Sequence, residues 1–383
     1  MPLVSYARTR LIVPVVVLAA LAALGAIIVR HEKPLPLPGR LLWPAAGLCL
    51  WAAISILWAL DGELAIRGVL KLTGNIVLGA VLVGLAPRLR DSESVWIGRA
   101  VIAGFCLSLI LLLGEAFSGG LISLKLRGAV PSAAGYYWLN GNAAVLSIMI
   151  WPLAHLIPGG KKKAYLIVPF ALLLGVDTFL NYATGAWVVI SGVVVASIFY
   201  FWRQKAAKVF ALIIAAGVMA APLIPGKVID PAAFGRIDGF PNAAVHRFYI
   251  WDFTAKKIKE KPLLGWGMNA ARIIPGGKDR AVDKVRGDMG YIMPLHPHNF
   301  ALQVWLELGF PGALLLAVFL YQLIRRLSAP DIDRTAAALY AGQFTNGLVL
   351  IGFGVGVWQS WVMVLFWFTA ALSIITSRVA AAE

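Results

Sequence analysis

Residues 291–312 read Tyr-Ile-Met-Pro-Leu-His-Pro-His-Asn-Phe-Ala-Leu-Gln-Val-Trp-Leu-Glu-Leu-Gly-Phe-Pro-Gly. This stretch closes a long polar segment and opens an apolar run. His298 stands at the junction, in a chain with five histidines. An imidazole titrates at about 6.5 when unperturbed, so it can act as a general base at neutral pH. Pro294 and Pro297 stiffen the approach to it, which favours a fixed position. His296 lies two residues earlier, so in extended chain both rings share a side. Such spacing raises the question of a metal. No second carboxylate or cysteine cluster completes a ligand set, so neither a metal nor a cofactor is expected. Asn299 follows His298 directly. Gln303 and Glu307 are four apart and, on a helix, can hydrogen-bond each other or orient a partner. Glu307 sits about two and a half turns into the apolar run, where an ionisable group usually faces a bundle interior or a cavity.

A second candidate group lies upstream, in residues 242–260, which follow a rough helical period with apolar Val245, Phe248, Tyr249, Phe253 and Ile258. Asn242 is the expected N-cap. Arg247 and Trp251 are four apart and share a face. A guanidinium there suits bidentate contact with a phosphate and cannot deprotonate. The alternative is an arginine snorkelling at a membrane surface. Pro262 ends the helix at Lys261, and Gly265-Trp266-Gly267 then makes an irregular turn that permits close backbone approach. The lysines at 256, 257, 259 and 261 read as a solvated or headgroup-facing side. Trp251, Trp266 and Trp305 read more readily as interfacial anchors than as sugar platforms.

The elements that must position these residues are membrane spans. The chain is 60% hydrophobic, with a mean hydropathy of +0.81. Several apolar runs reach about 20 residues, enough to cross a hydrocarbon core as helix. The runs are continuous rather than alternating, which excludes a barrel. The fold class is therefore an all-α polytopic membrane protein, a single membrane domain over 1–383. Spans are expected near 11–29, 41–60, 65–86, 97–117, 140–158, 164–182, 184–202, 208–224, 299–324, 334–352 and 356–376, about eleven helices in all, within a range of about ten to twelve. The first is read as a retained span rather than a signal peptide, because it is long and no small-residue cleavage site follows it.

Charge orients the bundle. Lys161-Lys162-Lys163, Arg203-Gln204-Lys205, Arg325-Arg326 and Arg378 all fall at one end of these spans, which should be cytoplasmic. The segment from Arg30 to Arg40 and the loop holding Arg88 and Arg90 agree. Arg8 and Arg10 do not, since the N-terminus comes out on the far side. The formal net charge of +16 is read as basic cytoplasmic loops rather than as a nucleic-acid surface. Two loops lie on the far side, 118–139 and the large hydrophilic 225–298. The latter carries twelve Lys/Arg against seven Asp/Glu, a net of +5. A basic external loop over a helix bundle suggests an anionic substrate such as a phosphate. Cys49 and Cys106 both lie in apolar runs and report nothing about redox compartment.

The segment from Arg247 through Gly312 resembles the signature region of the O-antigen ligase and polymerase superfamily. The resemblance rests on Arg247/Trp251, Pro262 to Gly267, His298-Asn299, Leu302-Gln303 and Glu307-Leu308-Gly309. The Met-Asn-Ala-Ala-Arg run at 268–272 and the His-Pro-His-Asn form look most like the ligase-like branch. The resemblance implies a bacterial inner-membrane, multi-pass glycosyltransferase of the C-type helical class, with its active site facing the periplasm. It implies a glycan donor linked to undecaprenyl pyrophosphate, an acceptor hydroxyl on the lipid A core or another glycan, and no metal. By the same resemblance, His298 would activate the acceptor hydroxyl and Arg247 would bind the pyrophosphate. Gln303 and Glu307 would support the site from behind, and Trp251, Asn299 and His296 would complete the substrate contacts. Two departures stand out. Thr184 occupies a turn where many relatives carry arginine, and Asn140-Gly141-Asn142 stands where many have Asn-Arg. Lys125, Arg127, Arg236 or Arg272 would then supply the missing charge. The rival within the superfamily is a polysaccharide polymerase. The rival outside it is a transporter, which should show interrupted helices with polar residues near the midplane.

Overall fold

The computed structural model describes residues 8–31, 39–122, 139–156, 170–175 and 183–382, with positions 3, 5 and 125. Among the described residues, eight helices are long and apolar enough to cross a membrane: Thr9–Val29, Leu41–Trp58, Gly62–Arg88, Asp91–Glu115, Gly185–Leu223, Phe300–Arg326, Arg334–Phe353 and Ser360–Val379. The chain is thus an all-α polytopic membrane protein. Of the expected span at 164–182, residues 170–175 are described and helical, and the rest lies outside the described residues. We label the helices that matter below α1 (Ile12–Val29), α2 (Gly39–Ile54), α3 (Gly62–Leu85), α4 (Asp91–Ser118), α5 (Asn140–Ala154) and α6 (Ala183–Ala220). They continue with α7 (Pro231–Gly235), α8 (Asn242–Glu260), α9 (Phe300–Arg326), α10 (Arg334–Phe353) and α11 (Ser360–Ala382).

The element α6 covers two expected spans, 184–202 and 208–224. Its backbone leaves helical torsions at Trp202 (φ −130°, ψ 37°). Phe199 and Phe210 are eleven residues apart, which is about 16 Å along a straight helix. Their rings are nevertheless 6.0 Å apart. The chain therefore reverses at Trp202, and α6 is a helical hairpin. The basic turn Arg203-Gln204-Lys205 sits at its tip and is tied to the α9–α10 connection: Arg203 donates to Ile332 O, and Gln204 Nε2 donates to Ser328 O at 2.9 Å.

Other contacts gather the basic ends at the same pole. Arg30 pairs with Glu93, and Arg378 donates to Pro87 O at 2.7 Å and to Leu89 O at 3.2 Å. The start of α1 lies at the opposite pole, where Ser5 Oγ accepts from Asn142 at the head of α5 at 2.7 Å. So the N-terminal end does lie away from the basic pole, against the trend of Arg8 and Arg10. Twelve of the fifteen residues of α5 are buried, as befits a helix surrounded on all sides. Its Trp151 ring lies so near Gly192 and Gly342 that a Cβ on either would fall within 2.7 Å of it.

The region 225–298 is folded rather than an irregular loop. It holds α7, α8 and an antiparallel hairpin, β1 (Arg280–Asp283) and β2 (Gly287–Tyr291), which sequence analysis did not anticipate. Tyr249 of α8 donates its hydroxyl to Asp283 at 2.9 Å. Arg286 donates to Gly235 O at 2.9 Å and to Ile237 O at 2.8 Å, and also to Phe240 O and the Asn242 amide oxygen. Asn242 is therefore not the expected N-cap. Pro241 holds that position, and the Asn242 side chain serves this staple instead. The Asp283 carboxyl is held below its usual range, first by the Arg286 backbone N–H. Burial and the neighbouring Asp283 push the Tyr249 hydroxyl up to about 12.

One break in a helix welds this region to the bundle. Pro311 has no N–H, and Gly309 adopts φ 61°, ψ −159°, so α9 cannot complete its ladder there. The carbonyls this releases all find partners. Leu306 O accepts from Trp266 N at 2.9 Å, Glu307 O from Gly267 N at 2.8 Å, and Leu308 O from Trp51 Nε1 at 2.7 Å. In return Phe310 N donates to Pro262 O at 3.0 Å. A Cβ at Gly309 would lie 2.2 Å from Leu263 O, and one at Gly265 would lie 2.6 Å from Glu307 O. Gly309→Ala should therefore destabilise the protein by about 3 kcal/mol or more, through an almost glycine-only torsion and a backbone clash. Gly25→Ala, at a helical position with nothing within 4 Å, should be neutral or slightly stabilising. Thermal melts of both variants in lipid nanodiscs compare the two; equal melting points would refute the role of Gly309.

Candidate active site at the bundle mouth

The weld between the 262–269 turn and α9 determines what surrounds Glu307. The residue is fully buried. Its Oε1 accepts from Gln303 Nε2 at 3.2 Å, and its Oε2 accepts from Asn269 N at 2.7 Å and Trp358 Nε1 at 2.8 Å. Gln303 in turn accepts from Val357 N at 3.1 Å. One carboxylate therefore ties together the 262–269 turn, α9 and the segment before α11. The expected Gln303–Glu307 hydrogen bond is present, and both side chains face inward.

His298 lies one turn outside this network. Asn299 caps α9, its Oδ1 accepting from Leu302 N at 3.1 Å. Asn299 is thus committed to the backbone. His298 itself has φ 54°, in the left-handed region that non-glycine residues seldom occupy. Two supports hold it there. Trp251 Nε1 donates to Pro297 O at 2.9 Å from beneath, and His298 N donates to His296 Nδ1 at 3.3 Å. The two imidazole centroids are 4.2 Å apart.

The tautomer of His298 follows from its partner. Nδ1 lies 2.9 Å from Gly354 O. A carbonyl oxygen can only accept, so Nδ1 carries the proton and Nε2 keeps a bare lone pair. Burial, followed by the charges of Arg247 and His246, outweighs that hydrogen bond and lowers the His298 pKa to about 4. Burial and then the charges of His298, Arg272 and Arg247 lower His296 to about 3. Both rings are neutral at pH 7. His298 is thereby a fixed, uncharged base at the edge of an apolar bundle.

The cations are distributed unequally. Arg247 is half-buried on α8, reaches Ala243 O in a long 3.5 Å contact, and bears electrostatically on both histidines. Arg272 follows the 267–271 turn and lines a cavity with His296, Gln303 and Glu307. Arg236 is exposed at the end of α7, and no contact among the described residues joins it to the histidines. Arg127 lies outside the described residues. Thr184 stands in the first turn of α6, and its side chain likewise falls outside the description.

The tryptophans are buried keystones rather than interfacial anchors. Trp251, Trp266 and Trp305 are each at most 8% exposed, and each donates to a backbone carbonyl: Pro297, Lys257 and Val218 respectively. Lys257 and Lys261 cover the Trp266 ring at 5.6 and 4.2 Å, so they do not form a simply solvated face.

Sequence reasoning missed three contributors. Trp358 and Gln359 line the same cavity from the segment before α11. The third is Lys71, also in the lining, whose signal was available: a cation in an apolar run. Nothing in the local sequence around Trp358 announced its bond to Glu307, 51 residues away.

Fold and site together define a class, a polytopic helical membrane protein with a neutral base and several cations at one mouth of its bundle. Comparison with known proteins narrows it. The family model described as O-antigen ligase matches residues 169–317, which include Arg247, Arg272, His296, His298, Gln303 and Glu307. A protein of Rickettsia conorii named "Putative polysaccharide ligase" is 28% identical over 320 residues, covering 81% of this chain and 74% of its own length. Proteins of the same name from Rickettsia felis and Rickettsia bellii are 26% and 27% identical with the same coverage. The match and these relatives identify the O-antigen ligase superfamily as the one this chain resembles.

Proposed function

We propose that this protein transfers a glycan from undecaprenyl pyrophosphate to a sugar hydroxyl of the lipid A core, at the periplasmic face of the bacterial inner membrane. The observation that carries the reading is His298, a neutral imidazole with its Nδ1 proton pinned by Gly354 O and its Nε2 lone pair available, within electrostatic reach of Arg247. The orientation follows from charge. The pole bearing Arg30, Arg203, Arg326 and Arg378 is the cytoplasmic one by the positive-inside rule, so the histidines face the periplasm.

In this mechanism Nε2 of His298 removes the acceptor hydroxyl proton as the oxygen attacks the anomeric carbon. The new bond joins that oxygen to the anomeric carbon. The bond from the anomeric carbon to the phosphate oxygen breaks, and undecaprenyl pyrophosphate leaves with the electron pair. The displacement is direct, so it inverts the anomeric centre. Arg247 stabilises the charge growing on the leaving group, a contribution of up to about 3–4 kcal/mol for a well-placed donor. Trp251 and His296 hold the His298 loop, Asn299 starts the helix behind it, and Gln303 and Glu307 fix the floor. Arg272 contributes positive charge at the cavity. Arg236, exposed at the end of α7, acts on the glycan further out, and Arg127 supplies further positive charge to the substrate.

The test is transfer by the purified protein from an undecaprenyl pyrophosphate-linked glycan to lipid A core, without added divalent metal. Appearance of the glycan on lipid A core is the expected result. Lengthening of the carrier-linked glycan instead would replace ligation by polymerisation, and absence of both would reject glycosyl transfer.

A further inference from the structure

Lys71 places an ammonium group inside an apolar helix, about two and a half turns from the start of α3. That position is costly unless the side chain reaches a cavity or a polar mouth. Neighbours on its own face show where it points. Leu64 O accepts from Asn269 Nδ2 at 2.8 Å. Gly68 approaches the external turn so closely that a Cβ there would lie 2.5 Å from the Asn269 amide nitrogen and 2.8 Å from Met268. Beyond Lys71, Asn75 donates to Ser360 Oγ at 3.2 Å. Leu64, Gly68, Lys71 and Asn75 follow helical i, i+4, i+7, i+11 spacing and form one stripe. The stripe is docked on the 268–269 turn at one end and on the start of α11 at the other. Lys71 lies between these dockings.

The space between them is the cavity already met, lined by Lys71, Arg272, Asn269, His296, Glu307 and Gln359 among others. Arg272 enters it from the external turn, Lys71 from the membrane helix. The carboxylate in its wall is already engaged, since Glu307 accepts from Gln303, Asn269 and Trp358. Among the described residues, neither Lys71 nor Arg272 makes a salt bridge. Two cations thus line the cavity beside His296 and Glu307, and among the described residues neither pairs with that carboxylate, whose oxygens are held by neutral donors.

We propose that Lys71 and Arg272 form an anion subsite that takes a phosphate group of an isoprenoid-linked pyrophosphate. The ligand is membrane-tethered because Lys71 belongs to an apolar span, where a phosphate arrives most readily on a lipid. Arg272 offers a planar fork and Lys71 a compact point charge, a pairing suited to a phosphate group. The assignment rests on the transfer reading above, and it adds a binding role for a membrane helix outside the region matched by the family model. Lys71 is a positioning residue, remote in role from the base that activates the acceptor.

The test compares the parent with Lys71→Gln and Lys71→Arg in neutral phosphatidylcholine nanodiscs, each first shown to melt like the parent. The probes are farnesyl pyrophosphate, inorganic pyrophosphate and phosphatidylglycerol, with affinity read by calorimetry. Farnesyl pyrophosphate is expected to bind the parent, to bind Lys71→Gln at least about tenfold more weakly, and to bind Lys71→Arg within about threefold of the parent, as loss or retention of one charge-assisted contact predicts. In the transfer assay, Lys71→Gln should raise the donor KM by a similar factor while kcat changes little. Equal affinity of parent and Lys71→Gln for farnesyl pyrophosphate overturns the subsite, as does an Arg variant no better than the Gln variant. Inorganic pyrophosphate or phosphatidylglycerol binding as tightly as the isoprenoid overturns the ligand assigned. Transfer that is absent while farnesyl pyrophosphate binding still depends on Lys71 rejects the reaction but sustains the subsite. Transfer that proceeds without any dependence on Lys71 does the reverse.

Discussion

Replacing His298 by asparagine should reduce transfer by about 10²- to 10⁴-fold, the range that a positioned general base commonly contributes. Asparagine is the informative substitution because the backbone at 298 has φ 54°. Asparagine tolerates the left-handed region, whereas alanine would add strain to the loss of the base. The melting temperature should therefore stay near that of the parent. The pH profile supplies a second readout. The free His298 imidazole titrates at about 4, depressed first by burial. The neutral, basic form thus persists well below the usual histidine range. The acid limb of kcat/KM, which reports the free enzyme, should lie near about 4 rather than near 6.5. The limb of kcat should lie higher, because a bound pyrophosphate favours the imidazolium. Stability has the same sign. The folded-state pKa is below the unfolded value of about 6.5, so the unfolded chain takes up protons first as pH falls. The contribution of His298 to stability is then complete above about 6.5 and is lost on acidification toward about 4. His296, at about 3, extends this window downward. An asparagine variant that keeps parental transfer across this range would remove His298 from the mechanism.

Arg247→Gln carries the second large effect, an expected loss of about 10²- to 10³-fold in kcat, by analogy with removing one donor from a site of developing charge. Glutamine keeps most of the side chain's length and polarity but not its charge. Arg247→Lys restores the charge without the planar fork and should recover part of the activity. If Arg247 served only to bind the donor in its ground state, KM would rise with kcat unchanged. A role on the leaving group lowers kcat and kcat/KM together, so steady-state kinetics of both variants decide between the two. Removing the Arg247 charge should also raise the His298 pKa, because that charge is among those that depress it. An upward move of the acid limb in Arg247→Gln would report the coupling directly. An unchanged limb with unchanged kcat would dissociate Arg247 from the site.

Much of the architecture could be read without coordinates. Uninterrupted apolar runs oblige helices in a bilayer, since every backbone polar group must be satisfied within the segment. Local chemistry also fixed the end of α8 at Pro262 and the pairing of Gln303 with Glu307, because both act within one or two helical turns. Reading failed where partners are distant. Asn242 has the chemistry of a cap, but Arg286, 44 residues away, claims its amide oxygen. Trp251 has the chemistry of an interfacial anchor, but Pro297 O, 46 residues away, claims its N–H. The hairpin of β1 and β2 carries two glycines, Gly287 and Gly290, and charged residues around short apolar positions, and its pairing emerges only against α8.

The sequence by itself determined a helical membrane bundle, its basic pole, a long polar region at the other pole, and a histidine and an arginine poised there. These follow from hydropathy, charge and residue type, which act at each position without regard to the rest of the chain. Tertiary structure alone decided the state of the site. The break at Gly309 releases carbonyls that only the 262–267 turn and Trp51 can satisfy, and that docking brings Asn269 to Glu307. Gly354 O, far along the chain, selects the His298 tautomer, and the walls around it set the pKa. The stripe from Leu64 to Asn75 delivers Lys71 to the same cavity. Each of these depends on a hydrogen bond or an electrostatic contact between groups tens to hundreds of residues apart, so it exists only once the helices have packed.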